Sequence, residues 1–448
     1  MEQFYLKNIC LSNYRKFEQS KIDLNRSMNV LIGKNGVGKT TILEAVNVML
    51  GAYLAAYKKY VPSRFSFNIS ENDIMLKNNQ KAVNDVILPP AIPQYPCKIS
   101  CRLQWDKNEM EYTRSVEKEG GRTKFAGANP MQKKVGKWER AIERADGSDE
   151  DIILPLVLYL SSARLWNENK GRETKSVPVR TDAYQRCLDP HRGTQMAFDY
   201  IKSLANISAE EKSGKPFPAY DVIMEAVAYS LAEELGAGQS VLYSTRYNEF
   251  AIRETDGTVI RFTALSDGYR NVIKIVSDIA TRMCMLNPYL GREALRETPG
   301  IVVIDELDLS LHPTWQRRII RILKTLFPKI QFVCATHSPF IIQSLEPGEL
   351  IILDDPEEVE AEEYSGQSIE DIAEKIMDVS MPQYSEKKEK MYRAAEDYFR
   401  ALDSSRKQNE LQELKERMDV LAAEYSDNPA YGALLKQKYL EKKVSGNK

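Results

Sequence analysis

The first fifty residues combine two periodic patterns of apolar and polar positions. Residues 4–11 and 22–32 carry apolar side chains at strand-like spacing, and a glycine-rich segment, 33–38, follows them. From residue 40 to residue 50 the apolar positions recur as they do on one face of a helix. The pattern predicts two strands, a glycine-rich loop and a helix, in that order.

The middle of the chain continues with both patterns. Residues 98–105 alternate between apolar and polar, whereas 152–160 and 301–304 are almost continuously apolar, as in strands buried on both faces. Asp256-Gly257 between two strand-like runs predicts a hairpin. Residues 117–150 hold glycine, proline and many charges, which predicts an exposed insertion. The predicted strands lie at 98–105, 152–160, 247–253, 258–262, 301–304, 331–335 and 350–353, and the predicted helices at 195–236 and 272–286.

The last ninety residues are rich in Glu, Lys, Gln and Ala and have no strand pattern. They predict helices around 366–380, 385–402 and 405–425. Strands mixed with helices, followed by a helical end, predict an α/β protein with a mixed sheet, flanking helices, a helical insertion and a C-terminal helical tail. We expect a head at 1–355, with insertions near 60–150 and 165–240, and a tail at 356–448.

Composition narrows the class of protein. The chain has 448 residues, 62 Lys and Arg against 64 Asp and Glu, and a formal net charge of −2, which excludes a globally basic nucleic-acid binder. No apolar run approaches the roughly 20 residues of a membrane span, and the first ten residues do not resemble a signal peptide. Six scattered cysteines and three histidines argue against a Cys/His metal cluster. We therefore expect a cytoplasmic protein with no membrane contact.

The glycine-rich segment satisfies the phosphate-loop pattern G-x-x-x-x-G-K-[ST], with a strand before it and a helix after it. In such a loop the backbone N–H groups face a phosphate, and the helix N-terminus adds positive potential. Lys39 supplies a cation for the β- and γ-phosphates, and the Thr40 hydroxyl suits Mg²⁺. The candidate ATP-binding residues are Gly33, Lys34, Asn35, Gly36, Val37, Gly38, Lys39, Thr40 and Thr41.

Two later strand ends carry residues that fit phosphate chemistry. The apolar run 301–304 ends in Asp305-Glu306, where Asp305 is a candidate Mg²⁺ ligand and Glu306 a candidate general base for the attacking water. Residues 333–335 end in Thr336-His337, and a neutral imidazole there can donate to the γ-phosphate or orient the water. A histidine at a strand end also has a purely structural interpretation.

With these motifs the chain resembles the ABC-type ATPases of the RecF/SMC/Rad50 group, in pieces over roughly residues 1–355. Leu11–Phe17 resembles that group's strand and turn before the phosphate loop, and Leu265–Tyr269 resembles the ABC signature. Asp305-Glu306 corresponds to the Walker B pair, Leu309–Pro313 is similar to the D-loop, and His337 to the switch histidine.

The resemblance implies two heads that face each other head to tail, in a dimer or a larger assembly. The signature of one head, through Ser266 and Gly268, would cap the ATP held by the other. Asp267 and Tyr269 depart from the commoner signature, which has Gly and Gln at these positions. The nearest candidate for the Q-loop glutamine is Gln104. The alternative is that Gln104 is an ordinary strand residue without a role at the site.

The chain lacks the sustained heptads of a long coiled-coil arm and a strand followed by paired aspartates in its tail. What remains resembles the compact ATPases of bacterial antiphage systems, of the Septu type and its retron-associated relatives. In that family the ATPase acts with a separate HNH nuclease. The resemblance therefore implies ATP and Mg²⁺ as cofactors and a copy of the same chain and an HNH nuclease as partners.

Two other functions stay open at this point. A nuclease acting alone is disfavoured, because three histidines leave no HNH motif. A RecF-like repair ATPase without a nuclease partner would need a basic surface that binds DNA. The alternative interpretation of the basic residues is an ordinary solvent-exposed helix face. The candidate residues are Lys133, Lys134, Lys137, Arg140 and Arg144, or Arg317, Arg318 and Arg321.

The tail is open to two interpretations. Aromatic residues lie among its charged residues, namely Tyr384, Tyr392, Tyr398 and Phe399. We expect that packing within the tail does not need them all, and that the tail helps to hold a partner or a neighbouring dimer. The alternative is a helical cap packed on its own head.

Overall fold

The computed structural model describes residues 3–58, 67–77, 91–144, 152–162, 179–190, 195–210, 218–233, 235, 239–244, 246–247, 249–353, 364–403 and 408–423. The chain divides into two compact units, Met1–Gln367 and Ser368–Lys448. The head–tail boundary expected at 355/356 lies outside the described residues.

The strands are β1 Phe4–Tyr14, β2 Phe17–Asp23, β3 Met28–Ile32, β4 Leu76–Lys77, β5 Ile92–Pro93, β6 Cys97–Trp105, β7 Asn108–Val116, β8 Lys124–Ala126, β9 Leu156–Leu160, β10 Ser240–Ser244, β11 Glu249–Arg253, β12 Val259–Arg261, β13 Gly300–Ile304, β14 Ile330–Ala335 and β15 Leu350–Ile352. The helices are α1 Lys39–Ala55, α2 Asn129–Arg144, α3 Gln195–Glu210, α4 Pro218–Leu231, α5 Asp267–Leu286, α6 Ala294–Glu297, α7 Pro313–Gln316, α8 Ile319–Leu326, α9 Pro339–Ile342, α10 Ile369–Lys375, α11 Glu386–Asp403 and α12 Gln408–Ala423.

A five-stranded parallel sheet, in the order β15-β3-β14-β13-β9, forms the centre of the head. Every residue of β3, β9, β13 and β14 is buried, which explains their continuous apolar runs. Ile304 pairs with both Cys334 and Leu160, so these strands end at the same level. The segments after β3, β13 and β14, which carry the candidate site residues, therefore meet at one edge of the sheet.

A second, antiparallel sheet has the order β2-β1-β6-β7-β8. Strand β6 buries every second residue, as its alternating sequence predicts. The prediction of one strand over 22–32 is wrong, because the chain changes sheets between β2 and β3. Asn25 and Asn29 stabilise that bend: the Asn29 side-chain amide donates to the Asn25 carbonyl at 2.9 Å and accepts from the Asn25 N–H.

Helix α1 lies between the two sheets and contacts β6 and β7 on one side and β13 and β14 on the other. Fourteen of its seventeen residues are buried. A helix with apolar residues on all sides is stable only when it is enclosed. The phosphate loop is therefore attached to a helix that is enclosed in the core of the head.

The region 117–150, predicted as an exposed insertion, contains regular structure as well: β8 at the edge of the antiparallel sheet, and α2. The many charged residues of α2 obscure the narrow apolar stripe of this helix in the sequence. Met131 and Val135 of that stripe are fully buried. The predicted hairpin at Asp256-Gly257 is present between β11 and β12.

The second unit is helical in its described part, with α10, α11 and α12. Ala394, Ala395 and Tyr398 of α11 pack with Met418 of α12 in one small apolar cluster. Within the described ranges, no helix of either unit combines the length and the apolar character that crossing a bilayer requires.

Candidate functional site

The loop between β3 and α1 adopts a conformation that only glycine accepts easily. Gly33, Gly36 and Gly38 have φ angles of 143°, 81° and 107°. A Cβ added to Gly38 would stand 2.7 Å from the Phe17 ring, so the β1–β2 turn lies directly on the loop. Helix α1 starts at Lys39 without a side-chain cap and without an acidic residue in its first turn. Its N-terminal N–H groups are therefore suited to bind an anion.

Two lysine ammonium groups stand at this loop. Lys39 is buried, and its Nζ donates to the carbonyl oxygens of Gly33 at 2.6 Å and of Lys34 at 3.3 Å. Lys16, from the β1–β2 turn, donates to the Gly36 carbonyl at 2.6 Å. These bonds hold positive charge at the loop, where a triphosphate needs it.

Thr40 and Asp305 come together from 265 positions apart in the chain. The Thr40 hydroxyl donates to the Asp305 carboxylate at 3.2 Å. Asp305 is buried at the end of β13, and its N–H donates to the Leu160 carbonyl of β9 at 2.9 Å. A hydroxyl oxygen beside a carboxylate offers two oxygen ligands of the kind that Mg²⁺ prefers. Phosphate oxygens and water usually complete the coordination shell of such an ion. Among the described residues, no group of three His, Cys, Asp or Glu side chains has the geometry to hold a metal ion by itself. A cation at Thr40 and Asp305 would therefore depend on phosphate and water ligands as well.

Glu306, next to Asp305, is exposed and has a φ angle of 48°, which is uncommon for a residue other than glycine. Its N–H donates to the Asp305 carboxylate at 3.1 Å. This left-handed turn directs the chain out of the buried strand, so Asp305 stays inside while Glu306 reaches solvent. Backbone strain of this kind occurs often at functional sites, since the surrounding fold must hold it in place.

His337 is exposed at the end of β14, and the loop that carries it is bound to the loop after Asp305-Glu306. The Asp308 carboxylate accepts from the Thr336 hydroxyl at 2.6 Å and from the His337 N–H at 3.1 Å. Sequence analysis missed Asp308, although the pattern Asp-Glu-Leu-Asp at 305–308 was a signal for it. Asp308 joins the two loops that carry the candidate base and the candidate switch histidine.

The signature segment contacts that same loop. Gly268 is buried, and a Cβ at this position would stand 3.2 Å from the Ser310 carbonyl oxygen. The Asn271 side-chain amide donates to the Leu309 carbonyl at 2.7 Å. Ser266 is exposed at the N-cap of α5. The signature is thus in physical contact with the residues three and four positions after Glu306.

The two departures from the commoner signature have local partners. Asp267 forms an ion pair with Arg270, one turn further along α5. The Tyr269 ring packs edge-on against Trp315 of α7, with ring centroids 5.6 Å apart. His312 caps α7, since its Nδ1 accepts from the Thr314 N–H at 3.4 Å. Asp267 is therefore paired within α5, whereas Tyr269 packs α5 against α7, the helix that follows the D-loop region.

Arg15, like Asp308, is a residue to which sequence analysis assigned no role. It lies in the β1–β2 turn with a φ angle of 48°. Its guanidinium pairs with Glu44 of α1 and also lies 2.8 Å from the Asp73 carboxylate. Burial raises the pKa of Glu44, the Arg15 charge opposes that rise, and the carboxylates of Asp73 and Asp305 raise the pKa further. Arg15 thereby ties the turn that covers the phosphate loop to the helix that carries Thr40.

Gln104 lies in β6 of the antiparallel sheet, and its side-chain amide donates to the Asp106 carbonyl at 2.8 Å. This local bond fits the alternative that Gln104 is an ordinary strand residue.

The strand–glycine loop–helix unit, the acidic pair at the end of another strand of the same parallel sheet and the signature helix define an ATPase. They resemble those of the ABC-type ATPases in the RecF/SMC/Rad50 group. The family "AAA domain" matches residues 8–213, and "AAA domain, putative AbiEii toxin, Type IV TA system" matches residues 139–343.

The relatives of this chain include Septu and retron proteins. The "Septu protein PtuA" of Bacillus thuringiensis is 28% identical over 83% of this chain and 84% of its own length. The "Retron Vc95 probable ATPase" of Vibrio cholerae is 26% identical over 78% of this chain and 73% of its own length. A second PtuA, from Bacillus mycoides, is 25% identical over 80% of this chain, but the match spans 42% of that relative. Among solved structures, the SMC head domain of Thermotoga maritima aligns over 78% of this chain with 14% identity and a TM-score of 0.42.

Proposed function

We propose that this chain is the ATP-hydrolysing subunit of a bacterial antiphage defence complex, in which ATP-dependent head dimerisation controls a separate HNH nuclease. Similarity to the Septu and retron proteins supports the setting. The contact of Gly268 and Asn271 with Ser310 and Leu309 carries the regulatory part of the proposal. Through that contact, a partner's ATP bound at the signature would act on the chain's own catalytic loop.

Each step of hydrolysis has a candidate residue. The loop amides and Lys39 would bind the phosphates, and Thr40 with Asp305 would hold Mg²⁺, which would supply positive charge to offset that of the phosphates. Glu306 accepts a proton from the water as the water oxygen attacks the γ-phosphorus. The bond to the β–γ bridging oxygen breaks, and ADP leaves with that oxygen. His337 stabilises the γ-phosphate oxygens, and Asp308 positions the loop that carries it.

Ser266 and the N-terminus of α5 would complete the phosphate shell of the opposite head. Their exposure fits a role that only a second molecule can satisfy. The Asp267–Arg270 ion pair reduces the repulsion that a bare carboxylate would exert on a phosphate. ATP thus joins the two heads, and its hydrolysis releases them.

Exchanging Ser266 for arginine tests whether the signature acts on the opposite head. We expect Ser266→Arg to retain ATP binding by each phosphate loop but to lose hydrolysis, because a bulky cation fills the place of the capping hydroxyl. Mixed with Lys39→Ala, it should recover roughly a quarter of the wild-type turnover. Half of the dimers are then mixed, and each has one composite site without a lesion. Phosphate release from the two variants, alone and mixed, measures this.

The exposed Ser240 supplies a matched control, Ser240→Arg, which should hydrolyse ATP normally. Differently tagged variants verify by co-purification that mixed dimers form. Verified mixed dimers without any recovery would mean that each site is built within one chain.

The tail departs from the expectation of spare aromatic residues. Tyr398 is buried between α11 and α12, and Tyr384 stacks on Tyr392 with centroids 4.6 Å apart. The side chain of Phe399 lies outside the described residues. In the described part of the tail, the apolar cluster between α11 and α12 is small, and short chains bury too little apolar surface to be stable alone. We propose that a nuclease partner or a neighbouring dimer packs on these helices.

Removal of residues 368–448 should leave ATP affinity and the cooperative melting of the head unchanged. It should also abolish co-purification of the co-expressed nuclease or reduce the number of subunits per assembly, calculated from the mass in light scattering. The compactness of unit 1–367 is the reason to expect a folded head. A truncated chain that keeps both the nuclease and the original number of subunits per assembly would identify the tail as a structural cap.

A further inference from the structure

The outer face of α2 is a row of positive charges. Lys133, Lys137, Arg140 and Arg144 are all exposed and follow each other at intervals of four, three and four residues. At 3.6 residues per turn these positions lie on one side of the helix, in a stripe about 16 Å long. Among the bonds of the described residues, Arg140 donates to the Gly136 carbonyl of its own helix at 3.0 Å.

The opposite face of α2 fixes the orientation of this stripe. Met131 and Val135 are fully buried, and the Trp138 ring packs against Trp105 with centroids 5.2 Å apart. Glu139 is also buried, and its carboxylate accepts from the Lys58 N–H at 2.8 Å. This acid, which interrupts the basic residues in the sequence, is therefore turned away from them in the fold.

Lys134 does not contribute to the stripe. It is directed to the sheet, where its ammonium lies 4.3 Å from the Trp105 ring centroid and pairs with Asp106. The side chain of Glu143 lies outside the described part. The described charged side chains of the outer face are thus all positive.

The second basic group of the sequence behaves differently. Arg318 and Arg321 both pair with Glu233, and the Arg317 guanidinium lies over the Phe340 ring at 5.2 Å. One carboxylate is thus shared by two of these arginines, and the third is packed on a ring. The stripe of α2 is the better surface for a polyanion.

We propose that the α2 stripe binds the phosphate backbone of duplex DNA. Four cations in a straight, rigid row match the regular, closely spaced charges of a duplex, about one per 1.7 Å of helix axis. Binding to single strands commonly relies on exposed aromatic rings that stack on bases. The aromatic residue of α2, Trp138, is instead engaged with Trp105. Contacts made only with phosphates predict binding that does not depend on base sequence.

This surface is distinct from the ATP site, and the inference holds whether or not the proposed nuclease partner exists. It places a basic contact for DNA on the head itself. A defence ATPase with such a contact could be held on a duplex without any change in the chemistry of hydrolysis.

Charge removal from the stripe tests the inference. In the full chain, Lys133, Lys137, Arg140 and Arg144 are changed to Gln together, and binding of a 30-base-pair duplex is followed by fluorescence anisotropy between 50 and 200 mM salt. Each phosphate contact contributes about −0.9 to the slope of log K against log salt for a duplex. We expect the slope to become shallower by up to about 3.6, and affinity at 100 mM salt to fall on the order of 10³-fold.

The matched control removes the same charge elsewhere in the head. Lys7, Lys21, Lys77 and Arg102 each pair with a carboxylate, and their joint change to Gln should leave the slope unchanged. ATP hydrolysis without DNA should be normal in both variants, which verifies the fold. Three results would overturn the proposal: no duplex binding by the wild type at 50 mM salt, a wild-type slope in the stripe variant, or equal losses in the control. Tighter binding of single strands or duplex RNA, lost in the same variant, would overturn the assignment to duplex DNA.

Discussion

Glu306→Gln should bind ATP normally and hydrolyse it on the order of 10²- to 10⁴-fold more slowly, the usual contribution of a general base. Glutamine matches glutamate in size but cannot accept the proton of the attacking water. The backbone turn at this position, with a φ angle of 48°, is equally accessible to both residues. Phosphate release measures the rate, and light scattering with ATP should show dimers that persist because the nucleotide between the heads is not consumed.

The exposed Glu119 offers a matched control, since Glu119→Gln makes the same change outside the site. Glu306→Asp keeps the carboxylate but shortens its reach, and we expect an intermediate rate. Wild-type turnover in Glu306→Gln would remove Glu306 as the base and leave water activation to another group at this edge of the sheet.

Lys39→Ala should weaken ATP binding by about 10²-fold or more, which corresponds to roughly 3 kcal/mol for the loss of one partner of a buried charge pair. Lys39 is buried beside the loop carbonyls of Gly33 and Lys34, so few water molecules can replace its charge. Hydrolysis should be lost as a consequence of the lost binding. Isothermal titration with ATP measures the affinity directly.

Lys118→Ala, at an exposed turn, removes the same charge outside the loop and should bind ATP like the wild type. A thermal melt of Lys39→Ala without nucleotide establishes that the loop change has not unfolded the head. Near-normal ATP affinity in a folded Lys39→Ala protein would contradict the assignment of the loop as the triphosphate site.

The order of the central elements could be predicted because each one carries a strong local pattern. Continuous apolar runs predicted β9, β13, β14 and β15, and the alternation of residues 98–105 predicted β6. Such patterns arise from burial on one or both faces, which the sequence records directly. The α/β class and the helical tail followed from the same patterns, and the class is confirmed.

The sequence was less informative where a local pattern was short or masked. Helix α2 was missed because its apolar stripe is narrow and its charges are many. The division between β2 and β3 was missed because the four residues that connect the two sheets leave no periodic signal. Both errors come from reading each segment alone, whereas the bend at Asn25 and Asn29 is stabilised by side-chain bonds that only the fold reveals.

The sequence by itself determined the phosphate loop, the acidic pair at 305–306 and the class of ATPase, because these motifs need particular residue types at short, fixed spacing. Only the tertiary structure decided how distant segments meet. It brought Thr40 to Asp305, tied His337 to Asp308, placed the signature against Ser310 and turned Glu139 away from the basic face of α2. The physical reason is that parallel strand order and helix orientation, which set these contacts, depend on packing across the whole core rather than on local spacing.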